Sequence, residues 1–338
     1  MFTRTLALFA TLPFILATVT SGAGTNPATP QTRVFEFTYS AQITQVPQGT
    51  KELRIWVPNP ASDPHQEIYD VRVSSPVRAV VHSEQRFGNS ILFLSIRNPK
   101  SLPISVEIKF KVRRSEYIHR DFSHYLPVSS GYLEPATAAY LKPDRLVPVN
   151  DRIMSLAREV TSGKATDLEK ARAIYDYTLA NMTYDKSGEG WGRGDIMYAC
   201  DAKHGNCTDF HALFIGLCRA SGIPARFSIG FPLPDKRGEG DIAGYHCWAE
   251  FYLNGYGWVP VDASEASKHP EKREYFFGAH DENRVQLSTG RDLILEPRQA
   301  GSPLNYFVYP YAEADGQPLD SQSIKSHFHF RDLEDKGQ

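Results

Sequence analysis

A cysteine, a histidine and an aspartate, Cys207, His246 and Asp262, follow one another in local contexts that suit nucleophilic chemistry by a thiol. Such chemistry needs a base to take the thiol proton and a carboxylate to orient the base. Gly205-Asn206 is a turn dipeptide that breaks whatever precedes it. Phe210, Leu213, Phe214 and Leu217 then recur at three- and four-residue spacing, which predicts a helix from Cys207 to Ala220. Ser221-Gly222-Ile223-Pro224 ends it, with Gly at the left-handed cap and Pro just beyond. Cys207 therefore falls in the first turn, where unpaired backbone N–H groups and the helix dipole favour a thiolate and can donate to an oxyanion. A buried structural cysteine is the competing reading. Cys218, deep in the same helix among apolar neighbours, fits it well.

The histidine shifts the balance. Tyr245-His246-Cys247-Trp248-Ala249-Glu250-Phe251-Tyr252 reads as a strand, Asn254-Gly255-Tyr256-Gly257 as a hairpin turn, and Trp258-Val259-Pro260-Val261-Asp262 as the returning strand. His246 near the start of one strand and Asp262 near the end of the other then share one end of the ladder. An aspartate beside an imidazole fixes its tautomer and stabilises the imidazolium.

These segments resemble the transglutaminase-like proteins of the papain-like cysteine enzyme group, found widely in bacteria. The resemblance rests on Gly205-Asn206-Cys207, Leu213-Phe214, the run Arg219 to Arg226, His246-Cys247-Trp248-Ala249-Glu250 and Gly257-Trp258-Val259-Pro260-Val261-Asp262. It spans residues 130–315 and is strongest over 195–265. It implies an α+β fold with a papain-like transglutaminase core, in which a Cys-bearing helix packs on an antiparallel sheet. It also implies a triad of Cys207 as nucleophile, His246 as base and Asp262 as orienter. The activity implied is acyl transfer on peptide or protein amides through a thioester, resolved by water in a peptidase or amidase and by an amine in a transglutaminase. Enzymes of this group place an oxyanion side chain upstream of the cysteine. Here Trp191 and Tyr198 are the available donors, each equally readable as a packing residue. An ionised Asp201 only accepts hydrogen bonds.

Two other classes compete. Cys207 and His211 stand four apart on one helix face, with Cys200, His204, His246 and Cys247 available, and zinc takes such ligands. Paired Cys-x2-Cys or His-Glu-x-x-His spacing is missing, so no metal site is assigned. The second is a non-catalytic peptide-binding or scaffold protein that keeps the fold. The chemistry needs no cofactor, and no acidic loop has the EF-hand spacing for calcium.

The positioning elements follow from the rest of the chain. Residues 1–23 combine Arg4, an apolar run from Leu6 to Val19 and Ser21-Gly22-Ala23, which reads as a secretory signal peptide. This predicts an exported chain, periplasmic or secreted, with no membrane span in its mature part. Residues 33–115 alternate in strand fashion, with turns at Pro58-Asn59-Pro60, Gly88-Asn89 and Asn98-Pro99, and predict a β-sandwich preceding the catalytic domain. Trp56 reads as core there. Asn150 to Glu159 is a helix candidate, and Thr166-Asp167-Leu168-Glu169 is a capping box opening a helix that runs to about Met182. Gly188, Gly190, Gly192 and Gly194 mark an open, mobile loop flanking the cysteine. Tyr275 to Gly278 and Gly290 to Leu295 look strand-like, and residues 320–338 form a polar, frayed tail.

The chain has 338 residues, 41% hydrophobic and 22% charged, with a formal net charge of -2. This is a globular composition large enough for two domains. The scattered basic residues argue against nucleic acid as a partner, leaving a peptide or protein substrate as the partner expected. The oligomeric state has no signature. In an oxidising compartment a Cys200–Cys247 disulfide is one available pairing.

Overall fold

A computed structural model describes residues 29–127 and 133–334. The signal-like segment 1–23 lies outside the described residues. The alternating N-terminal region supplies three strands to each of two five-stranded sheets. One holds Thr32–Ile43 and Ile104–Ser115, paired antiparallel from Thr32–Ser115 to Ile43–Ile104, with Gln66–Ser74 outside them. The other centres on Glu52–Pro58 and Ser90–Arg97, flanked by Val80–Ser83. Alternation drives one set of side chains inward: Phe35, Phe37, Tyr39, Ile55, Leu94, Ile108 and Phe110 are buried. Trp56 is fully buried and donates from Nε1 to the Pro297 carbonyl at 2.8 Å.

Both sheets recruit strands from the far end of the chain. Tyr311–Ala314 pairs with Glu52–Pro58, and Ile324–Asp332 pairs along Thr32–Ile43 from Phe35–Asp332 to Ile43–Ile324. The stretch read as a frayed tail thus contains a nine-residue sheet strand, Ile324–Asp332. It is held because Phe328 and Phe330 point inward while His327 and Arg331 face solvent. Arg33 clamps Asp332 with bonds of 2.8 and 2.9 Å.

The second layer system is a four-stranded antiparallel sheet in the order Gly257–Val261, His246–Leu253, Ala225–Pro232, Arg284–Thr289. The expected hairpin is present, with Leu253 opposite Gly257 and Ala249 opposite Val261. The helix Cys207–Ala220 packs on this sheet and is ringed by the helices Asp151–Val160, Asp167–Asn181, Ile196–Ala202 and Ala263–Lys268. Every residue from Cys207 to Arg219 is buried, more than the single stripe its spacing predicts, because the helix is enclosed on all sides. The capping box at Thr166 and Glu169 forms as expected. Two strand expectations fail. Tyr275 to Gly278 and Gly290 to Leu295 contribute only isolated bridges at Phe277 and Leu293, and the strand between them is Arg284–Thr289. One buried cluster runs from the sandwich into the helical layer, and Phe231 joins them, its ring 5.6 Å from Phe37 and 4.1 Å from Phe328.

Candidate active site

Cys207 is the first residue of the central helix, as its turn dipeptide predicts. Asn206 caps the helix, its Oδ1 accepting from the Thr208 N–H at 2.9 Å, while Asp209 reaches back to the Asn206 N–H at 3.0 Å. Asp209 also accepts from the N–H groups of Gly192 at 2.7 Å and Gly194 at 3.0 Å. Gly205 leaves room for this carboxylate. A Cβ there would fall 2.3 Å from Asp209 Oδ2, and its φ of +155° suits glycine.

The glycine loop expected to be mobile is instead tied down over residues 192–194. Beyond the two bonds to Asp209, Arg291 donates to the carbonyls of Gly194 and Arg193 at 2.7 and 2.9 Å, and Asn305 to Arg193 at 2.8 Å. The Tyr245 hydroxyl bonds to the Gly192 carbonyl at 3.3 Å and accepts from Asn206 Nδ2 at 3.0 Å. Neither upstream donor candidate is free: Trp191 Nε1 bonds to the Gly188 carbonyl at 3.2 Å, and the Tyr198 hydroxyl meets His204 Nε2 at 3.3 Å.

The structure brings Cys207, His246 and Asp262 together. His246 Nε2 lies 2.7 Å from Asp262 Oδ2. An ionised carboxylate only accepts, so Nε2 carries the proton and Nδ1 is the ring nitrogen left for the sulfur. Asp262 stands one residue past the strand Gly257–Val261 and caps the next helix, its Oδ1 accepting from the Glu265 N–H at 3.0 Å and the Ser264 hydroxyl at 3.1 Å. Helix capping and imidazole orientation therefore share one carboxylate.

Burial works against every charge here, and the neighbours overcome it. Burial alone raises the Cys207 thiol, but hydrogen bonds from Cys247 and His246 and the charge of His246 hold it well below the ordinary cysteine value. Burial lowers His246, but the charge and hydrogen bond of Asp262, with Cys207 and Glu265, bring it up to about 10. Asp262 is held well below the carboxylate range despite burial, by the charge and hydrogen bond of His246 and by Arg284. Both shifts favour a thiolate–imidazolium pair.

Arg284 and His211 complete the site. Arg284, buried, donates to Asp262 Oδ2 at 3.0 Å and to Asp281 at 3.2 Å, and lies over the Trp248 ring at 4.9 Å. Nothing in the local sequence marks it, since a charged residue opening a strand ordinarily faces water. His211 had stood out only as a metal-ligand candidate. Its Nε2 accepts from the Ala263 N–H at 3.2 Å, so Nδ1 carries the proton and faces Cys247 Sγ at 3.6 Å. Burial keeps it neutral, its pKa below the ordinary histidine value. Cys247 points to the helix side, opposite Trp248, as alternation predicts. Burial and the adjacent Cys207 sulfur keep it a thiol. All four cysteines are free, so the Cys200–Cys247 pairing does not form. Among the described residues no group of three or more His, Cys, Asp or Glu side chains is arranged to hold a metal ion.

Comparison with known proteins agrees with this architecture. The model of the transglutaminase-like superfamily matches residues 154–263. An uncharacterized protein of Haemophilus influenzae (strain Rd) is 30% identical over 325 residues, covering 85% of this chain and 88% of that protein. The uncharacterized protein YebA of Bacillus subtilis is 26% identical over 149 residues, 39% of this chain and 20% of YebA. The crystal structure of a candidate cysteine protease from Cytophaga hutchinsonii superposes with a TM-score of 0.59 at 18% identity, covering 91% of this chain and 94% of that one. With a Cys-headed helix on an antiparallel sheet, preceded by a β-rich region, the chain belongs to the transglutaminase-like superfamily.

Proposed function

We propose that the chain is an exported, thiol-dependent acyl-transfer enzyme acting on peptide or protein amides. The observation that carries this reading is the buried Cys207–His246–Asp262 relay, in which the Asp262 carboxylate is also braced by Arg284. The Cys207 thiolate attacks an amide carbonyl. Oxyanion stabilisation falls to the Cys207 N–H, which as the first helical N–H has no intrahelical partner. His246, charged at neutral pH, gives its proton to the leaving amine, and a thioester forms on Cys207. The neutral imidazole then takes a proton from the incoming water or amine, which attacks the thioester and releases the thiolate. Water gives hydrolysis and an amine gives a cross-link. No step requires a cofactor. Export rests on the composition of residues 1–23.

The test is mass spectrometry of a peptide library incubated with the chain, with and without a primary amine. Amine incorporation identifies a transferase, and cleavage or deamidation alone a hydrolase. Cys207→Ala should abolish either product with the fold intact, because a first-turn side chain fills little core volume. Turnover retained in that variant refutes the assignment. If the wild type neither turns over any peptide nor is alkylated at Cys207 in a His246-dependent way, the chain is a binding scaffold.

A further inference from the structure

Trp248 and Glu250 alternate with Cys247, Ala249 and Phe251, and so lie on the face of the sheet turned away from the Cys207 helix. There a cavity of about 240 Å³ opens between this sheet and the sandwich, with Arg114, Asp63, Tyr117, Trp248, Trp258 and His280 on its walls. No member of the Cys207–His246–Asp262 relay lines it.

Arg114 decides what the cavity suits. It is 2% exposed, on the strand Ile104–Ser115, and its Nε and Nη1 find no hydrogen-bond partner among the described residues. Neither nearby carboxylate satisfies those two nitrogens. Glu250 is held by Arg226 through bonds of 3.0 and 2.7 Å, and Arg226 itself stacks on Trp258 at 4.1 Å. Asp63 stands 3.5 Å from Arg114 Nη1 while its Oδ1 accepts from the His65 N–H at 2.7 Å. A second buried group is also unspent: the His280 ring lies near the Val261 carbonyl, but among the described residues neither ring nitrogen reaches a partner in hydrogen-bonding geometry. Burial and Arg284 keep His280 uncharged, so it can donate one hydrogen bond without adding charge. Leaving buried N–H groups of a guanidinium unmatched is costly. A guanidinium is best matched by a carboxylate. Arg226 offsets Glu250 and Asp63 partly screens Arg114, which suits one negative charge better than two. The remaining walls are aromatic.

We propose that this cavity binds a small monocarboxylate with a flat apolar body, its carboxylate on Arg114 and its body against Trp248, Trp258 and Tyr117. Water is the competing occupant, since a volume many times the roughly 30 Å³ share of one water admits several. A bound carboxylate reports itself where water does not.

The experiment is calorimetric titration of the full chain with benzoate, benzamide and inorganic phosphate, with tryptophan fluorescence as a second readout. Benzoate should bind and perturb the fluorescence, with benzamide and phosphate each at least tenfold weaker. Arg114→Gln should weaken benzoate at least tenfold. If that variant does not fold, Asp63→Asn carries the test: it removes the carboxylate competing for Arg114, keeps an acceptor for the His65 N–H, and should tighten benzoate severalfold. Cys207→Ala should bind like the wild type, so a failure of the catalytic reading leaves this result untouched. No benzoate binding at ten millimolar, equal affinity for benzamide, tighter binding of phosphate, or no gain in Asp63→Asn would each overturn the proposal.

Discussion

Replacing Asp262 by Asn removes one charge and keeps the shape. Asn caps a helix as well as Asp does, so the helix Ala263–Lys268 should persist. The cap needs an oxygen facing the Glu265 N–H and the Ser264 hydroxyl, now 3.0 and 3.1 Å from Oδ1. The new NH2 group must then take the Oδ2 place, 2.7 Å from His246 Nε2 and 3.0 Å from Arg284 Nη1. There it meets donors, and His246 escapes the conflict only by giving up its Nε2 proton. The neutral ring then carries its proton on Nδ1, facing the sulfur, and cannot act as base. The charge effect has the same sign. His246 stands at about 10, chiefly because Asp262 outweighs burial. Return to the free-imidazole range or below removes roughly three pKa units, or about 4 kcal/mol, of preference for imidazolium. The thiolate partner goes with it. Iodoacetamide alkylation of Cys207 at pH 6 to 7, followed by peptide mapping in a Cys218→Ser background, should slow by about 30- to 300-fold. The apparent thiol titration should move up toward the free-cysteine value of about 8.5. An unchanged rate–pH profile would mean that Asp262 is only a helix cap and that the relay geometry is wrong.

Four further outcomes follow from the same contacts. In the proposed mechanism protonated His246, its pKa raised to about 10, is the general acid, so turnover should hold through neutral pH and fall as pH rises through about 10; a falling limb near 6.5 would refute the ion pair. Arg284→Met leaves Asp281 and Asp262 without their shared cation and should cost about 3–5 kcal/mol by denaturant unfolding, with Arg284→Lys recovering little because one ammonium cannot fork between two carboxylates; a loss under about 1 kcal/mol would show the clamp to be incidental. Gly205→Ala drives a Cβ onto Asp209 and should cost about 1–3 kcal/mol while slowing Cys207 alkylation, and an unchanged melt with unchanged alkylation would contradict the Asp209 anchor. Truncation after Asp320 exposes the surface that Phe328 and Phe330 cover, and at about 1.5–3 kcal/mol per buried large apolar side chain should lower stability by several kcal/mol, whereas a frayed tail would be removed without effect.

The readable parts of the chain were those set by local rules. Cys207 at a helix start follows from Gly205-Asn206 and the stripe after it, the Thr166–Glu169 cap from its own four residues, and the hairpin from Asn254-Gly255. What escaped depends on distant partners. Arg284 matters because Asp262 and Asp281 converge on it. The loop at 192–194 is fixed because Asp209, Arg291 and Asn305 reach it from three other segments. Glycine content predicts conformational freedom and carries no information about such anchors. The alternation of His327, Phe328, His329 and Phe330 is a strand signal in plain view, outweighed by the polar surroundings and terminal position of the segment.

The closing strand bears on the site through packing. Phe328 covers Phe231, whose strand carries Gly230 opposite His246. Gly230 itself admits no side chain, because a Cβ there would lie 1.8 Å from the Val285 carbonyl oxygen, one residue from Arg284. The histidine and the arginine that flank Asp262 are thus seated on the two strands either side of Ala225–Pro232, brought close across its Gly230, and the last described strand packs over the next residue. The candidate site around Cys207 takes its charged groups from residues 207–284, but the packing that holds them in place draws on strands from both ends of the described chain. This coupling explains why one buried cluster, continuous from Phe35 to Phe330, underlies both the sandwich and the helical layer. It also predicts that Phe328→Ala, far in sequence from the cysteine, should broaden the Cys207 alkylation profile before the chain unfolds. A profile identical to wild type in a measurably destabilised Phe328→Ala variant would show that sandwich and site are mechanically independent.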